Sequence, residues 1–188
     1  MNDRQLIWTS HDRFGTEHVT VRELREGWLI DGAAISVFDN APAFIQYQIT
    51  CDSAWLTSSV NVSIDHRSVV RAITAAVSDG HWTINGKAYP EFDGCIDIDL
   101  GITPFTNTLP IRRLKLAIEE SAPAVAVWVQ FPTLAIEILR QTYTRLSNSA
   151  YRYESSSGFT ADLTIDSFGI VTKYGDLWSI VASNPPIS

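Results

Sequence analysis

A chain of 188 residues, 45% hydrophobic and 19% charged, is long enough to bury a sizeable core and too apolar to stay disordered. A net charge of −7 argues against non-specific nucleic-acid binding, which needs a basic face to displace counterions, and against docking on anionic lipid headgroups. No apolar stretch approaches the roughly 18–20 residues of a membrane span, so no integral membrane segment is expected.

Met1-Asn2-Asp3-Arg4-Gln5 has no cationic segment leading into an apolar run, which reads against a secretory leader and for a cytoplasmic protein. The organising signal after it is period two. Val19–Glu26 fits a short helix or a strand, its β-branched content making the strand at least as good a fit. Ile30-Asp31-Gly32 reads as a tight hairpin turn. In Phe44–Cys51, Ile45, Tyr47, Ile49 and Cys51 share one face, and Gln46, Gln48 and Thr50 the other. Trp55–Ile64 places Leu56, Val60, Val62 and Ile64 opposite Thr57, Ser59, Asn61 and Ser63. Ser78-Asp79-Gly80, Ile84-Asn85-Gly86 and Asp93-Gly94 mark breaks. Ile96, Ile98 and Leu100 alternate with Asp97 and Asp99; Leu114, Leu116 and Ile118 with Arg113, Lys115 and Ala117; and Val125, Val127, Val129 and Phe131 with Ala126, Trp128 and Gln130. Thr133–Gln141 is again helix or strand. Phe159, Ala161, Leu163 and Ile165 form a last alternating run, closed by a hairpin loop at Asp166-Ser167-Phe168-Gly169, and Asn184–Ser188 reads as a tail.

Such runs are those of antiparallel sheets with unlike faces. The expectation is an all-β, mainly antiparallel fold: a single domain over residues 1–188 with few or no helices. Trp28-Leu29-Ile30-Asp31-Gly32 and Trp82-Thr83-Ile84-Asn85-Gly86 share an order that suggests an internal duplication, or merely two similar hairpins.

Chemistry-bearing motifs are sparse. The four histidines have no metal-ligand spacing, and no GxSxG elbow, phosphate loop or dinucleotide fingerprint occurs, so no catalytic residue, metal or cofactor is expected. Cys51 and Cys95 sit among strand-like residues as small hydrophobes. The densest polar string runs from Gly94 to Leu114. Asp97 and Asp99 project from one strand face about 6.5–7 Å apart. That spacing suits a hydrolase acting on a glycoside or ester, but the plainer reading is an ion pair with Arg112 or Arg113. Thr103–Pro110 is a turn-forming stretch whose short polar side chains either cap their own backbone or bind sugar hydroxyls. Trp55, Trp128 and Tyr143 fall in phase with polar neighbours, where rings accept the apolar faces of sugars.

Several strings resemble a bacterial glycolipid-binding family. They are Tyr47-Gln48-Ile49-Thr50-Cys51-Asp52-Ser53-Ala54-Trp55, Gly94–Leu100, Thr103–Leu114, Gln141–Thr144, Tyr151-Arg152-Tyr153 and Ile165–Val171, in order over nearly the whole chain. The resemblance implies one large, strongly curved antiparallel sheet, half-barrel-like and similar in shape to the open half-barrels of lipoprotein carriers. It further implies an amphipathic small-molecule partner, a glycolipid, on the concave face, with the acyl part against apolar strand residues. Asp97, Asp99, Asn107, Arg112 and Arg113 are then candidates for the head group, and Trp55 and Tyr143 for ring platforms. A protein-interaction module is the remaining reading.

Overall fold

The computed structural model describes residues 3–186; Met1 and Asn2 of the expected leaderless start and Ile187 and Ser188 of the expected tail lie outside the described residues. Fifteen strands follow in chain order. They are β1 (Arg4–Ser10), β2 (Gly15–Leu24), β3 (Gly27–Phe38), β4 (Ala41–Asp52), β5 (Thr57–His66), β6 (Val69–Ser78), β7 (His81–Ile84), β8 (Lys87–Ala88), β9 (Asp97–Leu100), β10 (Ser121–Gln130), β11 (Ala135–Arg145), β12 (Ala150–Ser155), β13 (Thr160–Ile165), β14 (Val171–Tyr174) and β15 (Trp178–Asn184). All belong to one sheet in the order β8-β7-β6-β5-β4-β3-β2-β1-β15-β14-β13-β12-β11-β10-β9, which does not close by strand pairing. Both segments left between helix and strand are mostly strand: Val19 to Leu24 belong to β2 and Ala135 to Gln141 to β11, with turn residues at 25–26 and 133–134.

The sheet is mixed rather than wholly antiparallel, because β9 runs parallel to β10. Parallel pairs need a crossover and are normally covered on both faces. Both conditions hold. The crossover carries a 3-10 turn (Phe105–Asn107) and one helix, α1 (Thr108–Leu114). Consecutive residues Asp97 and Ile98, like Ala126 and Val127, are buried, so each strand is covered front and back. Ile98, Leu100, Val127 and Val129 join one apolar cluster with Ile45, Ile49, Val60, Val62 and Ile64 of β4 and β5. The indole Nε1 of Trp82 on β7 donates to the carbonyl of Cys95 just before β9, at 2.9 Å. The sheet therefore rolls until the β9–β10 end tucks against the inner face of the other end.

Several local expectations need correction. The alternation at Leu114–Ile118 is not a strand: α1 ends at Lys115 in the left-handed region (φ 50°), and no regular element spans 115–120. Pro110 sits in the first helical turn, where its missing N–H has no partner to lose. Asp31-Gly32 is not a turn but lies in the middle of β3, opposite Gln48 and Tyr47. A Cβ on Gly32 would sit 2.0 Å from the Tyr47 ring, so glycine is needed there for close approach. Asn85-Gly86 does turn, with φ of 50° and 77°, so the two Trp-x-Ile strings occupy unlike places. Asp97 does not lie on a wet face. It is 1% exposed.

The concave side is filled by the crossover. Phe105, Leu109 and Ile111 are buried, and Phe105 meets the Trp8 ring edge-on at 6.3 Å between centroids. The concave face, expected to take a ligand's acyl part, is thus occupied there by the chain's own segment.

Candidate functional site

A hollow of about 590 Å³ lies across β2–β6 and is floored by outward-facing Gln46, Gln48, Asn61 and Ser63, with His18 and Tyr47 as the rings on its lining. Chemistry concentrates elsewhere, in a cleft of about 260 Å³ inside the curve of β9–β15. The cleft opens between the β1–β2, β12–β13 and β14–β15 connections, which supply Arg13, Ser157 and Leu177 to its lining. Its walls include Trp128, Tyr153, Phe159, Tyr174 and Trp178, with Asp99 and Asn107 among its polar lining.

Strand parity explains the grouping. Trp128 pairs with Asp99 across the parallel ladder, and Tyr143 with Tyr153 across the antiparallel one, so these side chains share the inner face. Gly101 leaves room for the Trp128 indole, whose Nε1 would lie 2.8 Å from an added Cβ. The rings of Tyr153, Phe159 and Tyr174 stand with their centroids 5.7–6.2 Å apart, mutually inclined. Such rings offer apolar faces with hydroxyl tips.

Gln141 organises the floor. Its Nε2 donates to Asp99 Oδ2 at 2.5 Å and reaches the Tyr153 hydroxyl at 3.2 Å. The Tyr143 hydroxyl donates to Asn107 Oδ1 at 2.8 Å, and Asn107 Nδ2 donates to the Pro104 carbonyl at 3.2 Å. Among the described residues, none donates a hydrogen bond to the other Asp99 oxygen. Burial pushes the Asp99 carboxyl up to about 6; Gln141 acts against that shift and nearby Asp97 adds to it. Above that pH the cleft presents an anionic acceptor framed by rings, suited to ligand hydroxyl donors.

Asp97 shares the strand face but not the cleft. Arg113 grips it in a fork, Nη2 to Oδ2 at 2.5 Å and Nε to Oδ1 at 3.2 Å. Burial raises its carboxyl even so, and the Arg113 charge pulls the other way. Two-carboxylate hydrolysis would need a second acid facing the same ligand. Asp99 is the one carboxylate in the cleft lining, and Asp97 is committed to Arg113.

The seven residues singled out from sequence thus fall into three groups. Asp99, Asn107 and Tyr143 are joined through Gln141. Asp97 and Arg113 form an ion pair. Trp55 and Arg112 meet elsewhere: Trp55 stacks on Trp28 at 4.6 Å, and the Arg112 guanidinium lies 5.1 Å from the Trp55 ring centroid and 4.2 Å from that of Phe168. Trp55 and Tyr143, expected as open platforms, are 2% and 1% exposed. A ligand ring has no access to either face.

Gln141, Tyr153, Phe159, Tyr174 and Trp178 were not picked out, although Gln141 and Tyr153 lie inside the family-like strings. Their signal was cross-strand, visible only once the register brings β11, β12 and β14 together. Glu17 was also missed. It falls in phase with Val19 and Val21, a charge on the apolar face, and is 1% exposed. Its carboxyl accepts from the Tyr47 and Thr103 hydroxyls, both at 2.7 Å, and burial pushes it up to about 8. Among the described residues, no cluster of His, Cys, Asp and Glu is arranged to hold a metal ion, and no helix is long and apolar enough to cross a membrane.

The model of a family described as "Putative glycolipid-binding" matches residues 5–179. A crystal structure of a DUF1089 family protein from Pseudomonas aeruginosa is 32% identical, with TM-score 0.81, covering 92% of this chain and 94% of its own. A beta-barrel-like protein of the DUF1849 domain of unknown function from Brucella abortus is 10% identical, with TM-score 0.57, covering 99% and 97%; that likeness is one of fold. No curated protein matches.

Proposed function

Since the chain belongs to the family described as glycolipid-binding, we propose that it binds the sugar head of an amphipathic ligand in the Asp99 cleft. The observation that carries this reading is a carboxylate with one uncommitted oxygen, set among inclined aromatic rings at the floor of an open cleft. Sugars present donors at the ring edge and C–H groups on the ring face, and the two kinds of wall answer them. At about 260 Å³ the cleft falls just below the usual range for small-molecule pockets, so it suits one head group and not an acyl chain. With the hollow filled by Phe105, Leu109 and Ile111, the tail leaves through the mouth, past half-exposed Phe159. Arg13 at the mouth adds a donor for the outer part of the head group. Two buried, unpaired thiols, with Cys51 pushed up to about 12 by burial, favour a reducing, cytoplasmic setting.

Titration calorimetry with a panel of alkyl glycosides below their micelle concentrations tests the proposal. The wild type is expected to bind at least one. Asp99→Asn and Trp128→Ala should each weaken that binding about tenfold or more, the scale of one hydrogen bond to a charged group. Binding by none of the panel, or equal binding by both variants, would overturn it.

A further inference from the structure

At the rim opposite the cleft mouth, where the β11–β12 and β13–β14 connections lie, Arg112, Lys115 and Arg145 converge on a pocket of about 300 Å³. Asp166, on the same lining, is the acid whose charge acts on Arg112, and it faces three cations. Among the described residues, none of the three lies within salt-bridge distance of a carboxylate, in a chain with 21 acidic and 14 basic side chains. The pocket's one acid is spoken for. Asp166 Oδ1 accepts the amides of Phe168 and Ile170 at 3.0 and 2.8 Å, and Oδ2 lies 3.7 Å from Arg4. Arg145 is fixed by the backbone carbonyls of Leu116, Ser147 and Asn148, and its guanidinium lies 5.8 Å from the Tyr151 ring centroid. Arg112 donates Nη1 to the Phe168 carbonyl and lies over the Phe168 ring, and its buried Nε has no hydrogen-bond partner among the described residues. Lys115 is exposed at the lip. Complementing the carbonyl end of α1 accounts for Arg112 and Lys115 at most, since Arg145 comes from a distant strand.

We propose that this pocket binds a phosphoryl or sulfuryl oxyanion. A tetrahedral oxyanion supplies the missing negative charge and several acceptors at once, and Lys115 Nζ, on its flexible stem, closes over it as a mobile point charge. Arg112 and Arg145, already anchored, supply a preorganised positive field that costs little to assemble. The site uses none of the Asp99 cleft residues, so either reading stands if the other fails.

The thermal midpoint, followed against inorganic phosphate with chloride matched for ionic strength, tests this. Phosphate should raise the wild-type midpoint beyond the chloride control. Lys115→Glu, at an exposed position, should weaken apparent phosphate affinity about tenfold, and Lys115→Arg should preserve it. Co-sedimentation with phosphatidic acid vesicles and with phosphatidylcholine vesicles separates the sources. Retention on phosphatidic acid alone, released by inorganic phosphate and lost in Lys115→Glu, assigns the oxyanion to a lipid head. A phosphate response without retention assigns it to a free anion. No response to phosphate beyond chloride, or an equal response in Lys115→Glu, overturns the proposal.

Discussion

Glu17 sits where a strand's parity demands an apolar side chain, and the interior answers it with hydroxyls rather than a cation. Tyr47 donates to one oxygen and Thr103 to the other, while Thr103 Oγ1 accepts the Phe105 amide at 2.9 Å. One residue thus ties β2 and β4 to the start of the crossover. The cost of charging it appears in its proton affinity, raised from the ordinary 4.5 to about 8 by burial, against the pull of both hydroxyls. Between those values the folded protein holds a proton that the unfolded chain has released. Stability from this group is therefore fully present below pH 4.5, falls by up to about 1.4 kcal/mol per pH unit as pH rises, and is exhausted once pH passes about 8. Asp99 contributes with the same sign, but only between 3.8 and about 6. Denaturant unfolding from pH 6 upward isolates Glu17. Glu17→Gln keeps one donor and one acceptor for the two hydroxyls, and its stability should fall less steeply than that of the wild type. Parallel curves for the two proteins would mean that Glu17 is already ionised in the fold.

At the scale of elements, the crossover is what the sequence conceals. Period-two alternation located the strands well because one face of each meets the core: Ile45, Tyr47, Ile49 and Cys51 are buried as their spacing requires, and so are Ala161, Leu163 and Ile165. The same logic misread Leu114–Ile118, since alternation over five residues is compatible with a helix end followed by an irregular loop. The Asp-Gly turn preference misread Asp31-Gly32 because the glycine there serves a ring packed over it, a non-local need. The polar string Thr103–Leu114 announced itself as unusual, yet its hydroxyl and amide groups serve largely internal partners: Thr103 bonds Glu17, Asn107 bonds Tyr143, and the Thr108 hydroxyl accepts the Val171 amide at 3.2 Å. Of the cleft, Asp99 and Asn107 were legible as chemistry-bearing residues. Of the aromatic walls Trp128 was legible too, from its polar phase, but its companions were not, because which rings meet depends on register among strands far apart in sequence. Phe105 anchors the filling segment against Trp8 and is fully buried. Phe105→Ala should cost about 3–5 kcal/mol, and lower the thermal midpoint by roughly 6–15 °C for a chain of this size. A loss of only a degree or two by calorimetry would show that the sheet holds its shape without the segment.

For the whole molecule, the question is how fifteen strands in one open sheet avoid leaving two raw edges. The two ends solve it differently. β8 is two exposed residues long and turns straight into the Pro90–Phe92 turn, so it offers a neighbouring chain almost no ladder. β9 is also terminal in the strand order, yet it is shielded: Ile98 and Leu100 press on the cluster contributed by β4 and β5, and Asp97 is held by Arg113 beneath α1. Topology alone would make β9 a fraying edge, whereas burial makes it part of the core. Amide hydrogen exchange separates the two views, because protection follows the free energy of local opening and not position in the strand order. The Ile98 and Leu100 amides should exchange on the timescale of central β4 amides such as Ile49, and those of Lys87 and Ala88 orders of magnitude faster. Equal, rapid exchange at both ends would mean that β9 is not tucked inside the roll. The cleft would then lose the strand that carries Asp99 as a rigid wall, and a preformed head-group site with it.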